Sequence, residues 1–251
     1  MCMNATDLGV ATLRDAFLWG LLWIFAGGCY VGLVRRGQDY ISHFRTTAAY
    51  FFVLSVLAAL SFQHVLQQHV AVLGWMHLLL LVGIAILQVV AYACIRKWLR
   101  RPTRFIRAHP HVYFLQMDYR YLVSKPFEIL FQQIMFGSLV LFLFKSGIAI
   151  EGIVPICIVL FAAIHVPLIK LLGRCFGCFY ISSAVVAATV FTLLILGAEG
   201  GLLYSYLSHW LYYTVAGAGF WLYLDEVPRK SRRAANETVE ASSGAPHVPK
   251  R

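Results

Sequence analysis

The sequence predicts an all-α protein, a polytopic transmembrane helical bundle of about seven spans with its N-terminus outside and its C-terminus inside. The chain of 251 residues is 60% hydrophobic and only 13% charged, its apolar residues form long runs, and its basic residues cluster in alternate loops. An average soluble domain carries about 25% charged residues, so a soluble enzyme of this size is excluded. The aromatic content of 15% excludes a disordered chain.

Each predicted span is a run of mainly apolar residues, because about 20 such residues cross the hydrocarbon core as a helix. The runs cover residues 16–34, 48–62, 70–95, 127–144, 148–172, 179–196 and 201–224. The second run is short, and we expect it to extend through Gln63 and His64 or to tilt little. Residues 1–228 are therefore assigned to one transmembrane helical domain. Residues 229–251 are polar and of mixed charge, which predicts a disordered basic cytoplasmic tail.

The orientation follows from the distribution of lysine and arginine. Basic residues cluster in loops one, three and five and in the tail, whereas loops two and six contain none and loop four contains only Lys145. Cytoplasmic loops carry the excess of basic residues, so the odd loops and the C-terminus are predicted inside. This rule also accounts for the net charge of +10, and no nucleic-acid partner is expected.

The third loop is long and mixes basic with aromatic residues from Arg96 to Lys125. This composition is typical of a segment that lies on the membrane surface, with its aromatic rings at the level of the anionic lipid headgroups. A second interpretation is a ledge on which a substrate docks at the mouth of a site. Anionic headgroups are therefore the expected partners of this segment, in addition to the bilayer itself.

Three ionisable residues stand out within the predicted spans: Glu128, His165 and His209. Such groups are costly in a membrane and usually face the bundle interior, which makes each a candidate functional residue. One carboxylate and two imidazoles can activate water and hold an oxyanion, bind a divalent metal such as zinc, or relay protons. They can also simply form hydrogen bonds between helices.

The sequence around these residues contains three short motifs in order. The fourth span opens with F-E-I-L-F-Q-Q at 127–133, the fifth contains F-A-A-I-H at 161–165, and the seventh contains H-W-L-Y-Y at 209–213. They resemble the E-E-I-L-F-R-G, F-x-x-x-H and H-x-x-x-N motifs of the CPBP family, the CAAX-protease and bacteriocin-processing intramembrane endopeptidases. The resemblance covers about residues 120–220.

The motifs also depart from the family pattern. Phe127 stands where the family has its first glutamate, so only the second is kept, as Glu128. Gln132 stands in place of the motif's arginine, and Tyr213 in place of the asparagine. A helix turns about 100° per residue, so Glu128 does not simply take over the direction of position 127. We therefore expect His165 and His209 to matter more to function than Glu128.

The resemblance implies an endopeptidase that hydrolyses a peptide bond of a membrane-associated protein or peptide. Glu128 and His165 would activate the water, and His209 and Tyr213 would stabilise the oxyanion. The resemblance implies no cofactor, although Glu128, His165 and His209 could hold a divalent metal. An integral membrane location is expected, in the bacterial inner (plasma) membrane.

Two other functions stay open at the level of sequence. The chain could be a catalytically silent relative that acts as a membrane scaffold or binds a partner, or a small transporter. The paired Gly/Pro interruptions that mark inverted-repeat transporters are missing from the sequence, which disfavours the transporter. Cys175 and Cys178 form a C-x-x-C pair, whose role the sequence leaves open.

Overall fold

The computed structural model describes the backbone of residues 5–243 and the side chains of residues 13–170 and 172–224. Over residues 5–243 the chain forms helices and no strand, as predicted. The α-helices are α1 (Ala5–Arg35), α2 (Phe44–Ser61), α3 (Gln63–Ala71), α4 (Trp75–Trp98), α5 (Thr103–Ala108), α6 (Tyr119–Lys145), α7 (Ile150–His165), α8 (Pro167–Gly197) and α9 (Gly201–Ser243), with a 3₁₀ turn at Tyr113–Gln116.

Six helical segments in the described part of the chain are long and apolar enough to cross a membrane. They are Leu13–Arg35, Phe44–Ser61, Trp75–Trp98, Tyr119–Lys145, Ile150–Lys170 and Leu172–Gly197. The protein is therefore an integral membrane protein. The seventh predicted span, 201–224, lies in α9, which is not among the six. Its tyrosine, serine and histidine residues lower its mean hydropathy.

Several helix boundaries differ from the sequence prediction. The third predicted run is divided into α3 and α4, and α6 begins at Tyr119, eight residues before position 127. The predicted end of the helical domain at 228 falls inside α9, which continues to Ser243. Residues 244–251 of the predicted disordered tail lie outside the described residues. Arginine, lysine, alanine and glutamate are good helix formers, which explains why the helix passes position 228.

Helix α6 is the central helix of the bundle. In its most apolar window 72% of the residues are buried, against 6–33% in the other five candidate spans. It contacts α1, α2, α3, α4, α7, α8 and α9. A helix that is apolar on all sides lies in a protein core or faces lipid, and its contacts place α6 in the core. Residues that α6 presents to its neighbours therefore reach the interior of the molecule.

The basic segment between α4 and α6 is only partly a surface structure. Phe114, Leu115 and Met117 are buried against the end of the bundle, and the indole nitrogen of Trp221 in α9 donates to the Leu115 carbonyl at 2.7 Å. Lys125, which the sequence placed in this segment, is a buried residue of α6. The second half of the segment thus closes one end of the bundle.

Candidate functional site

A cavity of about 730 Å³ lies beside the central helix, between α1, α6, α7, α8 and α9. All four residues predicted for the site, Glu128, His165, His209 and Tyr213, line it. They come from three different helices, so the fold brings together side chains that lie as much as 85 positions apart in the sequence. Most of the remaining wall is apolar or aromatic, as is typical of ligand sites.

Glu128 accepts hydrogen bonds from three side chains of the cavity wall. One carboxylate oxygen accepts from Lys125 Nζ at 2.7 Å and from the Tyr40 hydroxyl, and the other accepts from Gln132 Nε2 at 2.8 Å. Glu128 is only 8% exposed. A buried charge must be paired and hydrogen-bonded, and these donors satisfy most of its acceptor capacity.

Position 127, where the family has a glutamate, does not line the cavity. The ring of Phe127 contacts the edge of Phe52 in α2, with ring centroids 5.9 Å apart. The carboxylate that reaches the cavity is therefore that of Glu128. The helical rotation that separates neighbouring residues places position 128, and not position 127, toward the polar wall.

The Lys125 ammonium lies among three tyrosine rings as well as beside Glu128. Its distances to the ring centroids are 4.3 Å for Tyr213, 5.5 Å for Tyr40 and 5.9 Å for Tyr121. Cation–π attraction of this kind adds to the ion pair when the site is desolvated. Burial and the neighbouring carboxylate of Glu128 raise the pKa of Tyr40 well above its usual value, so its hydroxyl stays a donor.

Sequence reasoning did not assign Tyr40 to this site, and it interpreted a Lys125–Glu128 contact only as an ordinary ion pair at the membrane boundary. Lys125 stands three positions before Glu128, a spacing that puts both side chains on one face of a helix. That spacing makes the pair recognisable in the sequence, but the burial of both residues is visible only in the structure. Tyr40 lies in the loop after α1, 88 positions before Glu128, and the local sequence carries no signal for this contact.

The imidazole of His209 is oriented by a chain of two polar side chains. Gln133 Nε2 lies 2.9 Å from His209 Nδ1, and Ser205 Oγ donates to Gln133 Oε1 at 2.9 Å. With the glutamine amide in this orientation, Nδ1 is the acceptor and the ring proton sits on Nε2. The ring also stacks on Tyr213, with centroids 5.6 Å apart. His209 is thereby held as a hydrogen-bond donor.

His165 has the opposite tautomer. Its Nδ1 lies 2.7 Å from the Phe161 carbonyl oxygen, which can only accept, so Nδ1 carries the proton and Nε2 keeps its lone pair. The residue ends α7, directly before the short junction to Pro167 at the start of α8. The cavity therefore holds one imidazole suited to accept a proton and one suited to donate a hydrogen bond.

Tyr213 follows His209 by one helical turn and is buried. Its ring covers the Lys125 ammonium and contacts the edge of the Tyr121 ring, with centroids 6.3 Å apart. Among the residues whose side chains are described, no group of three or more His, Cys, Asp and Glu is placed to hold a metal ion. Glu128, His165 and His209 share the cavity without forming such a group.

Models of known protein families, curated proteins and solved structures give no match to this chain. Fold and site alone therefore define the class: an integral membrane protein built on a helical bundle, with a mainly apolar cavity that carries a buried ion pair and two oriented histidines. Cys175 and Cys178 are exposed on α8 and do not line the cavity.

Proposed function

We propose that the protein is a CPBP-like intramembrane endopeptidase that hydrolyses a peptide bond of a membrane-associated substrate by direct attack of water. The observation that carries the proposal is the convergence of Glu128, His165, His209 and Tyr213 on one cavity. These residues belong to three separate motifs of the sequence, at 127–133, 161–165 and 209–213. Burial of polar groups in a bundle accounts for an inward orientation, and the presence of all four motif residues in one cavity goes beyond that.

The hydrogen bonds suggest a division of roles. His165 Nε2 accepts a proton from the attacking water and returns it to the leaving amine. His209 Nε2–H and the Tyr213 hydroxyl donate to the oxyanion that develops on the scissile carbonyl. Glu128 already accepts from three donors, so it acts as a positioning residue whose negative charge holds Lys125 and Tyr40 in place.

The walls of the cavity favour a substrate that comes from the bilayer. Val34 of α1, Ile164 of α7 and Val186 of α8 line the cavity and are also exposed on the outer surface of the bundle. Helices α7 and α8 pack on each other, whereas α1 packs on α6. An apolar chain attached to a peptide can therefore reach the cavity between α1 and the α7–α8 pair.

The proposal includes a topology and a location. Helix α9 crosses the membrane as a seventh span, the N-terminus faces out and the C-terminus faces in, as the loop charges predict. The cavity then lies in the cytoplasmic half of the bundle. The membrane proposed is the bacterial inner membrane, and no cofactor is required.

The test uses the purified full-length protein in detergent and a prenylated peptide with a C-terminal CAAX sequence, incubated in heavy-oxygen water. Cleavage should place one heavy oxygen in the new carboxylate, detected by mass spectrometry. His165→Ala and His209→Ala should each lower the rate at least about 100-fold, and Glu128→Gln should lower it less. His69→Ala, a histidine on α3 that does not line the cavity, is the matched control.

A catalytically silent partner-binding protein is the second candidate, because the carboxylate that would activate water is already bound by Lys125, Tyr40 and Gln132. In that case the wild-type protein would bind the peptide without cleaving it, and the two histidine variants would weaken binding. Cleavage that is lost in Glu128→Gln and retained in both histidine variants would overturn the division of roles given above.

A further inference from the structure

A second, smaller cavity lies at the end of the bundle where α4 finishes and α6 begins. Its volume is about 170 Å³, and Arg96, Arg101, Gln116, Asp118 and Trp221 line it. Unlike the first cavity, its wall consists almost entirely of polar and charged groups together with one indole ring. It is separate from the proposed catalytic residues and shares no lining residue with the first cavity.

The charge of this cavity is positive. The structure shows no hydrogen bond or ion pair from the guanidinium of Arg96 or Arg101 to any residue whose side chain is described. Asp118 also attracts Arg96, but its single negative charge is bound by Arg120 through both carboxylate oxygens at 3.0 Å and cannot offset both arginines. This hydrogen bonding holds the pKa of Asp118 below its usual value. Two guanidinium groups therefore remain for an external anion.

The side chains around the cavity are of the kinds that are typical of a membrane interface. Trp98 at the end of α4 is 75% exposed, and Leu222 and Tyr223 of α9 are 51% and 65% exposed, next to the lining residue Trp221. Helices α4 and α9 pack on each other, so apolar and aromatic side chains flank the basic cavity on both helices. A phospholipid whose headgroup occupies this cavity could place its acyl chains against these apolar side chains. A free inorganic anion would make no use of them.

We propose that this cavity binds the phosphate group of an anionic phospholipid, with Arg96 and Arg101 as its ligands and the α4–α9 surface in contact with its acyl chains. Guanidinium groups match phosphate oxygens in geometry as well as charge, and basic pockets at the membrane surface are known to select anionic headgroups. The inference is independent of the proposed peptidase function, because the lipid site shares neither residues nor cavity with the proposed catalytic site.

The test measures lipid retention by native mass spectrometry on the delipidated full-length protein in detergent. One molecule of phosphatidylglycerol should bind to each protein with high affinity and raise the melting temperature of the protein. Phosphatidylcholine and inorganic phosphate should do neither. The double variant Arg96→Gln/Arg101→Gln should lower the affinity for phosphatidylglycerol at least tenfold. Arg104→Gln/Arg107→Gln removes the same charge from the same segment without touching the cavity and should retain the affinity.

Three results would overturn the inference. Equal losses in the two double variants would show that the segment attracts headgroups only through its overall charge. Equal binding of phosphatidylcholine would show that the phosphate charge is not recognised. Stabilisation by inorganic phosphate alone, to the same extent as by phosphatidylglycerol, would identify a free-anion site in place of a lipid site.

Discussion

At the scale of single residues, Lys125 and Glu128 form a buried ion pair in the wall of the large cavity. Both side chains are nearly buried, at 7% and 8% exposure, and their charged atoms lie 2.7 Å apart. Removal of one partner of such a pair leaves an uncompensated buried charge, which costs about 3–5 kcal/mol. We therefore expect Lys125→Met and Glu128→Gln each to lower the stability by about that amount.

The double variant Lys125→Met/Glu128→Gln should be more stable than the sum of the two single losses predicts. Replacement of both charges leaves neither one unpaired, so the cycle should show a coupling energy of about 1–3 kcal/mol. Thermal and denaturant unfolding in one detergent would measure it. Additive losses would mean that the two charges do not stabilise each other in the folded protein.

The same residues show how far sequence reasoning reaches into the site. Glu128, His165 and His209 could be selected because ionisable groups are conspicuous in apolar helices. Gln133 and Ser205, which orient His209, could not be selected, because amides and hydroxyls are common in such helices and their contact spans 72 positions. The second layer of the site depends on tertiary packing alone.

At the scale of the elements, the contact between α9 and the 3₁₀ turn depends on the absence of a side chain at Gly217. A Cβ atom there would lie 2.6 Å from Met117 Sδ and 3.0 Å from the carbonyl oxygen of Phe114. Met117 is buried and has a φ of 48°, a left-handed conformation that leaves it little freedom to move. Gly217→Ala should therefore cost about 1–3 kcal/mol.

Gly219, two positions further along α9, provides the matched control. A Cβ atom at Gly219 would meet nothing within 4 Å, so Gly219→Ala should be neutral or stabilise the helix by up to about 1 kcal/mol. Unfolding of the two variants and the wild-type protein in the same detergent would measure both effects. Equal stability of the two variants would show that the turn does not pack closely on α9.

The start of the central helix is a second element with a defined prediction. Asp118 caps α6 by accepting a hydrogen bond from the Arg120 backbone N–H at 2.9 Å. Asp118→Ala should therefore cost about 0.5–2 kcal/mol, and Asp118→Asn should retain most of the capping energy. Because the pKa of Asp118 is lowered, the difference between wild type and Asp118→Asn should persist near pH 7 and disappear only in acid, below about pH 4.

The sequence predicted the type of secondary structure better than it predicted where each helix begins and ends. The apolar runs correctly predicted membrane helices, because lipid leaves the helix as the only structure that satisfies the backbone of an isolated segment. The first eight residues of α6 were missed, since Lys125 and Arg120 made them look like surface loop. Within this stretch Tyr121, Ser124 and Lys125 are buried, whereas Tyr119 and Val123 are exposed, so one face of this first part of α6 packs against the bundle.

At the scale of the whole molecule, the number of crossings decides on which side of the membrane each end of the chain lies. Six described segments meet the criteria of length and hydropathy, and an even number would put both termini on one side. The loop charges require an odd number, which makes α9 the deciding helix. Its residues Thr214 and Ser205 are buried and donate to Gln88 and Gln133 of neighbouring helices.

These internal hydrogen bonds satisfy polar groups of α9 that lower its mean hydropathy, so the polar face of the helix is covered by protein and need not meet lipid. We therefore expect α9 to cross the membrane. The test starts from a chain whose native cysteines are replaced by serine, into which a single cysteine is introduced next to position 2 or next to position 240. Each variant is treated on intact cells with a membrane-impermeant maleimide. The N-terminal cysteine should react and the C-terminal one only after lysis. Reaction of both in intact cells would show that α9 does not cross, and the seven-span topology would be wrong.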